Sequence, residues 1–183
     1  MGTIGQIEAL AEGAAVDRRA LEEQYERLMR ANGPSIMRLA AAYEANPANR
    51  DDLVQEIALA LWKALPQFRG ECSERTLVFR IAHNRALTHL CRRRQAPGEL
   101  ADAAEIADSR ATPESQASAG QLRERLMAAI RLLPLAHREV MVLVLEGMSH
   151  AEIGEVLGIS EGNVAVRANR ARKELRSFLG EVQ

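Results

Sequence analysis

Apolar residues recur at three- and four-residue spacing through most of this 183-residue chain, and strand-type alternation is nearly absent. Recurrence with that period places apolar side chains along one face of an α-helix. Only 6 Pro and 12 Gly interrupt these patterns, and aromatic residues make up only 3% of the chain. The sequence therefore predicts an all-α fold.

Proline and glycine positions divide the first half of the chain into four predicted helices. The first begins at Asp17 and ends at Asn32-Gly33-Pro34, where Pro34 suits the first turn of a second helix. A third helix follows Asn46-Pro47, and a fourth starts after Ser73, a residue type favoured at the N-cap. The apolar stripes of these helices comprise Ala20, Leu21, Tyr25, Leu28, Ile36, Leu39, Ala40, Tyr43, Leu53, Ile57, Leu61, Leu65, Leu77, Ile81 and Leu90.

Charge is unevenly distributed along the chain, although the formal net charge is only −1. Residues 67–95 carry 7 basic and 2 acidic side chains, whereas residues 96–120 carry 1 and 5, together with Pro97, Gly98 and Pro113. Few large apolar residues occur in the second of these segments, which is typical of a linker. The predicted organisation is an N-terminal extension (1–20), a helical domain (21–95), a flexible acidic linker (96–120) and a second helical domain (121–183).

Several functional classes are disfavoured by what the sequence contains. Two cysteines, Cys72 and Cys91, do not form a disulfide framework, which favours a reduced, cytoplasmic protein. We expect neither a signal peptide nor direct membrane insertion, because no uncharged stretch is long enough. The four histidines are scattered, without triad or metal-ligand spacing, so we expect no catalytic residues, no metal and no cofactor.

The most specific local signal lies in the second predicted domain. Ser149 and Glu152 form an S-x-x-E capping box that starts a helix, and Gly158 suits the left-handed residue that ends it. Ser160 follows two positions later and caps the next helix. This combination predicts a helix-turn-helix.

The second helix of this motif has a predicted inner and a predicted outer face. Inward-facing residues would be Val164, Ala168, Ala171, Leu175 and Phe178, which step by four and three residues. The remaining positions carry a net charge of +4 between Arg167 and Arg176, and Arg and Asn side chains can read base edges in a major groove. A helical hairpin with a merely solvated charged face is the alternative. Outward-facing residues would be Asn163, Val166, Arg167, Asn169, Arg170 and Lys173.

Two features of the first predicted domain also suggest binding surfaces. An acidic and amide-bearing helical face at Asp51, Asp52, Gln55 and Glu56 could be solvated or could dock a basic or coiled-coil partner. A polar turn at residues 68–73 then precedes a helix rich in arginine. Basic groups beside a turn are suited to capturing single-stranded nucleic acid. The alternative is that Arg92, Arg93 and Arg94 only complement the dipole at the C-terminal end of their helix.

These residues together resemble an extracytoplasmic-function sigma factor of bacterial RNA polymerase. The resemblance extends from about Tyr25 to Phe178. In the first domain it rests on residues 52–56, 61–66, 68–71 and 80–87; in the second it rests on residues 133–134, 138–140, 146–149, 152–154, 157–164 and 170–175.

The resemblance implies a transcription-initiation factor whose partners are core RNA polymerase, through its β′ and β subunits, promoter DNA and an anti-sigma factor. It implies three sets of contact residues. For core polymerase these are Asp51, Asp52, Leu53, Gln55 and Glu56. For the −10 element they are Phe68, Arg69, Gly70, Glu71, Ser73, Arg80, Asn84, Arg92 and Arg93. For the −35 element they are Ser160, Glu161, Asn163, Val166, Arg167, Asn169, Arg170 and Lys173.

One alternative function remains open from the residues. A conventional helix-turn-helix regulator would bind duplex operators without polymerase. The two readings differ at Asp52 and Gln55, because their substitution should abolish activity only if the acidic face binds polymerase.

Overall fold

Described residues of the computed structural model are 3–95 and 119–180, with side chains at 18–93 and 120–180. Within these ranges the chain is helical and contains no strand, which confirms the predicted all-α class. The helices are α1 (Thr3–Tyr43), α2 (Pro47–Ala64), α3 (Glu74–Gln95), α4 (Ala119–Leu132), α5 (Leu135–Leu145), α6 (His150–Leu157) and α7 (Glu161–Leu179), with a short 3-10 helix at Leu65–Gln67. Most of the predicted linker, residues 96–118, lies outside the described residues.

Helix α1 is continuous through Asn32-Gly33-Pro34, so the predicted break there is wrong. A proline inside a helix costs about 3 kcal/mol, because it removes a backbone donor and crowds the preceding turn. Gly33 has no Cβ to clash with the proline ring, which reduces that crowding. Ile36 and Leu39 beyond the proline are 0% and 1% exposed, and burying each contributes about 1.5–3 kcal/mol. Burial therefore outweighs the local preference for a break.

Helices α1, α2 and α3 pack against one another and form the first unit. Asn46 begins α2, because its side-chain oxygen accepts hydrogen bonds from the backbone amides of Ala48 and Asn49. Leu53, Ile57 and Leu61 of α2 are fully buried against the neighbouring helices, as their spacing predicts.

The buried face of α3 differs from the predicted one. Val78, Phe79, Ala82 and Ala86 are buried, whereas Leu77, Ile81 and Leu90 are only partly buried. Helix α3 packs against α1 and α2 and also against α6, so more of its circumference is covered than that of a helix with a single apolar stripe. Helical spacing alone does not reveal that second contact.

The second unit comprises α4 to α7, in which α7 packs against α4, α5 and α6. Val164, Ala168, Ala171 and Leu175 face the core of this unit, which confirms four of the five predicted inward positions. The fifth prediction is wrong: Phe178 is 45% exposed. The apolar stripe continues instead through Leu179, four residues after Leu175, because a 3.6-residue turn allows either step.

Candidate functional site

The helix-turn-helix has the predicted caps at both of its helices. The Ser149 amide donates to Glu152 Oε2 at 2.7 Å, and the Glu152 amide donates back to Ser149 Oγ at 3.2 Å. Hydrogen bonds from the amide and hydroxyl of Ser149 hold the pKa of the Glu152 carboxyl below its usual value. Gly158 ends α6 at φ 67°, and Ser160 Oγ accepts from the Asn163 amide at 3.3 Å. The capping prediction is therefore confirmed.

A glycine that the sequence analysis passed over fixes the distance between α6 and the turn. Gly154 is buried in α6, and a Cβ at this position would lie 2.7 Å from the carbonyl oxygen of Ile159. Its own carbonyl accepts a hydrogen bond from the Ile159 amide at 3.1 Å. A glycine in the middle of a short capped helix is the sequence signal that could have indicated this close approach.

The outward face of α7 comprises Asn163, Val166, Asn169, Arg170 and Lys173, all of them exposed. Arg167, beside this face, is half-buried and donates from Nε to Asn163 Oδ1 at 3.0 Å. Ser160 and Glu161 lie exposed at its N-terminal end. The face therefore presents amide, guanidinium, ammonium and methyl groups along one side of a helix, which suits contact with base edges and phosphates in a major groove.

The acidic face of α2 comprises Asp51, Asp52, Gln55 and Glu56. The first three are exposed, whereas Glu56 is half-buried and accepts a hydrogen bond from Arg92 at 2.8 Å. Leu53, predicted as part of the same contact, is 0% exposed and lies in the core of the first unit. In this conformation the side chain of Leu53 positions the helix and does not reach a partner.

The turn before α3 is largely open to solvent. Arg69, Gly70 and Glu71 are exposed, Phe68 is half-buried, and Gly70 adopts φ 77°, a conformation that favours glycine. Ser73 then begins α3, because its Oγ accepts from the Thr76 amide at 2.9 Å, as the N-cap prediction requires.

Helix α3 carries the polar residues Arg75, Arg80, Asn84, Arg92 and Arg93 on different sides, because at 3.6 residues per turn Arg75 and Arg93 project opposite to Asn84. The four arginines all have partners within the chain. Arg75 donates to the Glu146 carbonyl oxygen, Arg80 donates to the Glu155 carbonyl oxygen at 3.1 Å, and Arg92 pairs with Glu56 as described above. Arg93 pairs with a fully buried carboxylate, Glu44, at 2.8 Å. Asn84 is exposed.

Glu44 is a residue that sequence reasoning missed. It is 0% exposed, and its oxygens contact His89 Nε2 at 2.8 Å, the Asn46 amide at 2.8 Å and Arg93. Burial by itself raises the pKa of the Glu44 carboxyl, but these hydrogen bonds and the Arg93 charge outweigh burial and leave the pKa below its usual value. One carboxylate thus ties the end of α1 to the start of α2 and to α3. The four-residue spacing of His89 and Arg93 on α3 was the available signal.

The two units are in direct contact, which the prediction of two domains and a linker did not anticipate. Helix α3 packs against α6, and α1 packs against α4 and α5. Arg38 of α1 forms a two-pronged pair with Glu146, with Nε 2.6 Å from Oε1, and Arg131 donates to the Ala41 carbonyl oxygen at 2.7 Å. Glu146 is 4% exposed, so the carboxylate is enclosed at this contact.

A second polar group at the same contact is His83 of α3, which is 6% exposed. Burial lowers the pKa of His83 to about 4, and its Nε2 lies 3.9 Å from Glu139 of α5. Burial also raises the pKa of Glu139, and this effect is opposed by the charges of Arg167 and Arg138. Both groups are therefore held closer to neutral than they would be in water.

Residues 3–95 and 119–180 contain no group of three or more His, Cys, Asp or Glu placed to hold a metal ion. No helix among the described residues is long and apolar enough to cross a membrane.

Comparison with known families gives two matches, in order along the chain. Residues 28–96 match the model of sigma-70 region 2, and residues 123–175 match the model of sigma-70 region 4. The first match covers α2, α3 and most of the described side chains of α1; the second runs from α4 into α7.

Three relatives are similar over nearly their whole length. RNA polymerase sigma factor NccH of Alcaligenes xylosoxydans xylosoxydans is 33% identical over 178 residues, covering 92% of this chain and 95% of that relative. ECF RNA polymerase sigma factor SigM of Mycobacterium tuberculosis is 30% identical over 175 residues, covering 94% and 84%. RNA polymerase sigma factor CnrH of Cupriavidus metallidurans is 32% identical over 178 residues, covering 92% and 91%. CnrH has also been solved in complex with the cytosolic domain of CnrY, and that structure aligns with a TM-score of 0.66 at 26% identity over 94% of this chain and 96% of CnrH.

Proposed function

Because the chain belongs to the extracytoplasmic-function (ECF) sigma factors of bacterial RNA polymerase, we propose that its first unit binds core polymerase and the −10 element while its second unit reads the −35 element. The observation that carries this proposal is the order of the two sigma-70 regions on one chain. A regulator with only a helix-turn-helix has no need of region 2.

The proposed division is residues 21–95 for the first unit, 96–120 for the linker and 121–183 for the second unit. Its support is that helices α1–α3 precede the linker and helices α4–α7 follow it. The matches to region 2 at residues 28–96 and to region 4 at residues 123–175 agree with this division. The core polymerase carries out the chemistry in this proposal, and this chain contributes binding and recognition alone, in the cytoplasm, where the polymerase acts.

The polymerase contact is proposed for the acidic face of α2. Asp51, Asp52 and Gln55 are exposed on one side of a helix whose opposite side is fully buried, so the face is rigid and accessible. We propose that its partner is the coiled coil of the β′ subunit, to which these carboxylates and the amide would offer hydrogen-bond acceptors and negative charge.

The −35 contact is proposed for the outward face of α7. Arg167 and Arg170 would read base edges, and Lys173 would contact phosphate, because guanidinium groups bind guanine in two-pronged geometry while an ammonium acts as a point charge. The −10 contact is proposed for the turn at residues 68–73 and for Arg80, Asn84, Arg92 and Arg93 of α3.

An anti-sigma partner is proposed as the regulator. Its support is the solved complex of CnrH, a relative 32% identical to this chain, with the cytosolic domain of another protein. Purification of the tagged chain from its source, followed by identification of the proteins bound at one-to-one ratio, tests this part. Recovery of core polymerase alone, in cells that are not transcribing the sigma-dependent genes, would contradict it.

The central experiment is multi-round transcription by bacterial core polymerase on sheared genomic DNA from the source organism, with and without the protein. We expect new discrete transcripts that share upstream sequence. The variant Asp52→Ala with Gln55→Ala should abolish these transcripts, whereas Glu22→Ala with Glu23→Ala, which removes exposed carboxylates of α1, should leave them unchanged. An autonomous regulator would give a different result. The parent would direct no transcription, and the variant with Asp52→Ala and Gln55→Ala would still bind duplex DNA.

A further inference from the structure

A cleft is lined by residues of α1, of the start of α2 and of α4. Its volume is about 390 Å³, which is within the range of small-molecule sites. None of its lining residues belongs to the DNA surfaces or to the polymerase face proposed above. They include Met37, Arg38, Arg50, Arg123, Glu124 and Met127.

Two methionines give the cleft an apolar part. Met127 of α4 is 8% exposed, whereas Met37 of α1 is 42% exposed. Methionine side chains are flexible and polarisable, so they adapt to apolar groups of different shapes and make favourable contacts with aromatic rings. This part of the cleft therefore suits the apolar body of a ligand.

Three arginines line the same cleft, each from a different helix. Arg38 of α1 is paired with Glu146, which compensates its charge. Arg50 of α2 donates to two backbone carbonyl oxygens, at 3.3 and 3.0 Å, which position its guanidinium group without neutralising it. Arg123 of α4 is exposed. The charges of Arg50 and Arg123 are therefore available to a ligand.

A fourth arginine beside the cleft adds to the positive charge. Arg131 is half-buried and donates to the carbonyl oxygen of Ala41, which is another lining residue, at 2.7 Å. Burial lowers the pKa of Arg131, and the like charge of Arg50 lowers it further. The carboxylates of Glu124 and Glu44 oppose this effect only in part. Because like charges held close together disfavour their charged forms, an anion bound in the cleft would stabilise both arginines.

We propose that this cleft binds a phosphate ester of a small aromatic or aliphatic group, with Arg50 and Arg123 on the phosphate and the two methionines on the apolar body. A phosphate monoester carries a charge of about −1.5 to −2 at neutral pH and three acceptor oxygens, whereas a carboxylate carries a single charge. The phosphate is the better match for two guanidinium groups without a carboxylate partner, and arginine is well suited to phosphate recognition. The proposal does not depend on the proposed function, because the two share no residue.

The binding test uses the full chain and four probes that separate the two parts of the cleft. Naphthyl phosphate has both an anion and an apolar body, naphthol lacks the anion, and inorganic phosphate lacks the apolar body. Naphthoate carries a carboxylate in place of the phosphate. We expect naphthyl phosphate to bind with a Kd of about 0.1–1 mM by isothermal titration calorimetry, as is usual for a ligand of this size. The other three probes should bind at least about tenfold more weakly, because each lacks part of the match.

Substitutions within the cleft should change the affinity for naphthyl phosphate in different directions. Arg123→Ala removes a guanidinium group and should weaken binding about tenfold. Glu124→Gln removes a repelling carboxylate at an exposed position and should strengthen binding about two- to fivefold. Met37→Gln keeps the length of the side chain but makes it polar, so it should weaken binding of naphthyl phosphate about threefold and leave that of inorganic phosphate unchanged.

Two control variants locate the site. Arg125 is also an exposed arginine of α4, but it lies two residues beyond Arg123 and so projects from the other side of the helix. Arg170 lies on the outward face of α7, where a phosphate could bind as it would in DNA. Arg125→Ala and Arg170→Ala should each leave the affinity for naphthyl phosphate within about twofold of the parent. All the substituted side chains are exposed, so every variant should keep its fold, which circular dichroism checks.

Four results would overturn the proposal. Naphthyl phosphate does not bind, naphthol or inorganic phosphate binds as tightly as naphthyl phosphate, naphthoate binds more tightly, or a control variant weakens binding as much as Arg123→Ala does. The transcription experiment is separate from these measurements. A chain that binds the probe as expected but directs no transcription would remove the proposed function and leave the cleft assigned, and the opposite pair of results would do the reverse.

Discussion

Replacing Gly154 by alanine should destabilise the protein although alanine is the better helix former. An added Cβ would lie 2.7 Å from the Ile159 carbonyl oxygen, which belongs to the backbone of the turn and cannot rotate away as a side chain could. Ordinary contact needs about 3.4 Å or more, so the turn must move by more than half an ångström, away from the hydrogen bond that links the Ile159 amide to Gly154. Overpacking of this kind costs about 1–3 kcal/mol.

The helix-forming advantage of alanine offsets part of this cost. Alanine gains about 0.8–1 kcal/mol over glycine inside a helix, so the net loss should be up to about 2 kcal/mol. For a chain of this size 1 kcal/mol corresponds to roughly 2–4 °C in Tm, which predicts a decrease of up to about 8 °C.

Gly162 provides the matched control. It lies in the first turn of α7, is exposed, and has no atom within 4 Å of an added Cβ. Gly162→Ala therefore gains helix propensity with no clash, and its Tm should rise by about 1–4 °C. The assay is thermal unfolding of both variants of the full chain, followed by circular dichroism in one buffer. A Gly154→Ala variant stabilised to the same extent as Gly162→Ala would refute the close approach of turn and helix.

Three further outcomes are expected. Val164→Asp places a charge at a position that is 0% exposed and should cost at least about 3 kcal/mol, and an unchanged thermal transition would contradict the orientation of α7. The pKa of His83 is about 4 in the folded protein and near 6.5 when unfolded, so the unfolded state binds a proton first and stability falls as pH decreases through this window. The loss between pH 6.5 and 5 should be about 1.5 kcal/mol by urea unfolding, His83→Gln should flatten it, and an equally steep slope in that variant would assign the effect to a group other than His83. Arg170→Ala should relax base preference at one position of the −35 element by about 1–3 kcal/mol, measured by sequencing transcript start sites, while Arg125→Ala on α4 should leave the pattern intact.

Features encoded by neighbouring residues could be predicted from the sequence. The caps at Ser149, Gly158 and Ser160 depend on hydrogen bonds that span three or four residues, and each is present as expected. The inward positions of α2 follow from its spacing alone, because α2 uses a single apolar stripe. The same reasoning predicts which side chains of α7 face outward, because their exposure follows from the spacing within that helix and depends little on distant parts of the chain.

Features that join distant segments could not be predicted in this way. A helix break at Pro34 is the local preference, and the burial of Ile36 and Leu39 that reverses it depends on packing partners elsewhere. Arg80 of α3 appears free in the sequence because the carbonyl oxygen of Glu155, to which it donates, lies 75 positions away. The binding of Glu44 by His89 and Arg93 spans 45 and 49 positions for the same reason.

The long sequence separation of the contact between the units has a consequence for synthesis. Arg38 and Glu146 lie 108 positions apart, and Arg75 and Glu146 lie 71 apart, whereas α5 and α7 both lie within residues 135–179. Helices α1 to α3 leave the ribosome first, and residues 96–179 follow at about 5–20 residues per second, so roughly 4–17 s pass before the second unit is complete. During that interval Arg75 and Arg80 of the newly made first unit lack the carbonyl oxygens of Glu146 and Glu155 that they bind in the finished protein, so nucleic acid near the ribosome can contact them before the second unit does. Translation speed through residues 96–179 therefore sets how long the nascent protein remains open.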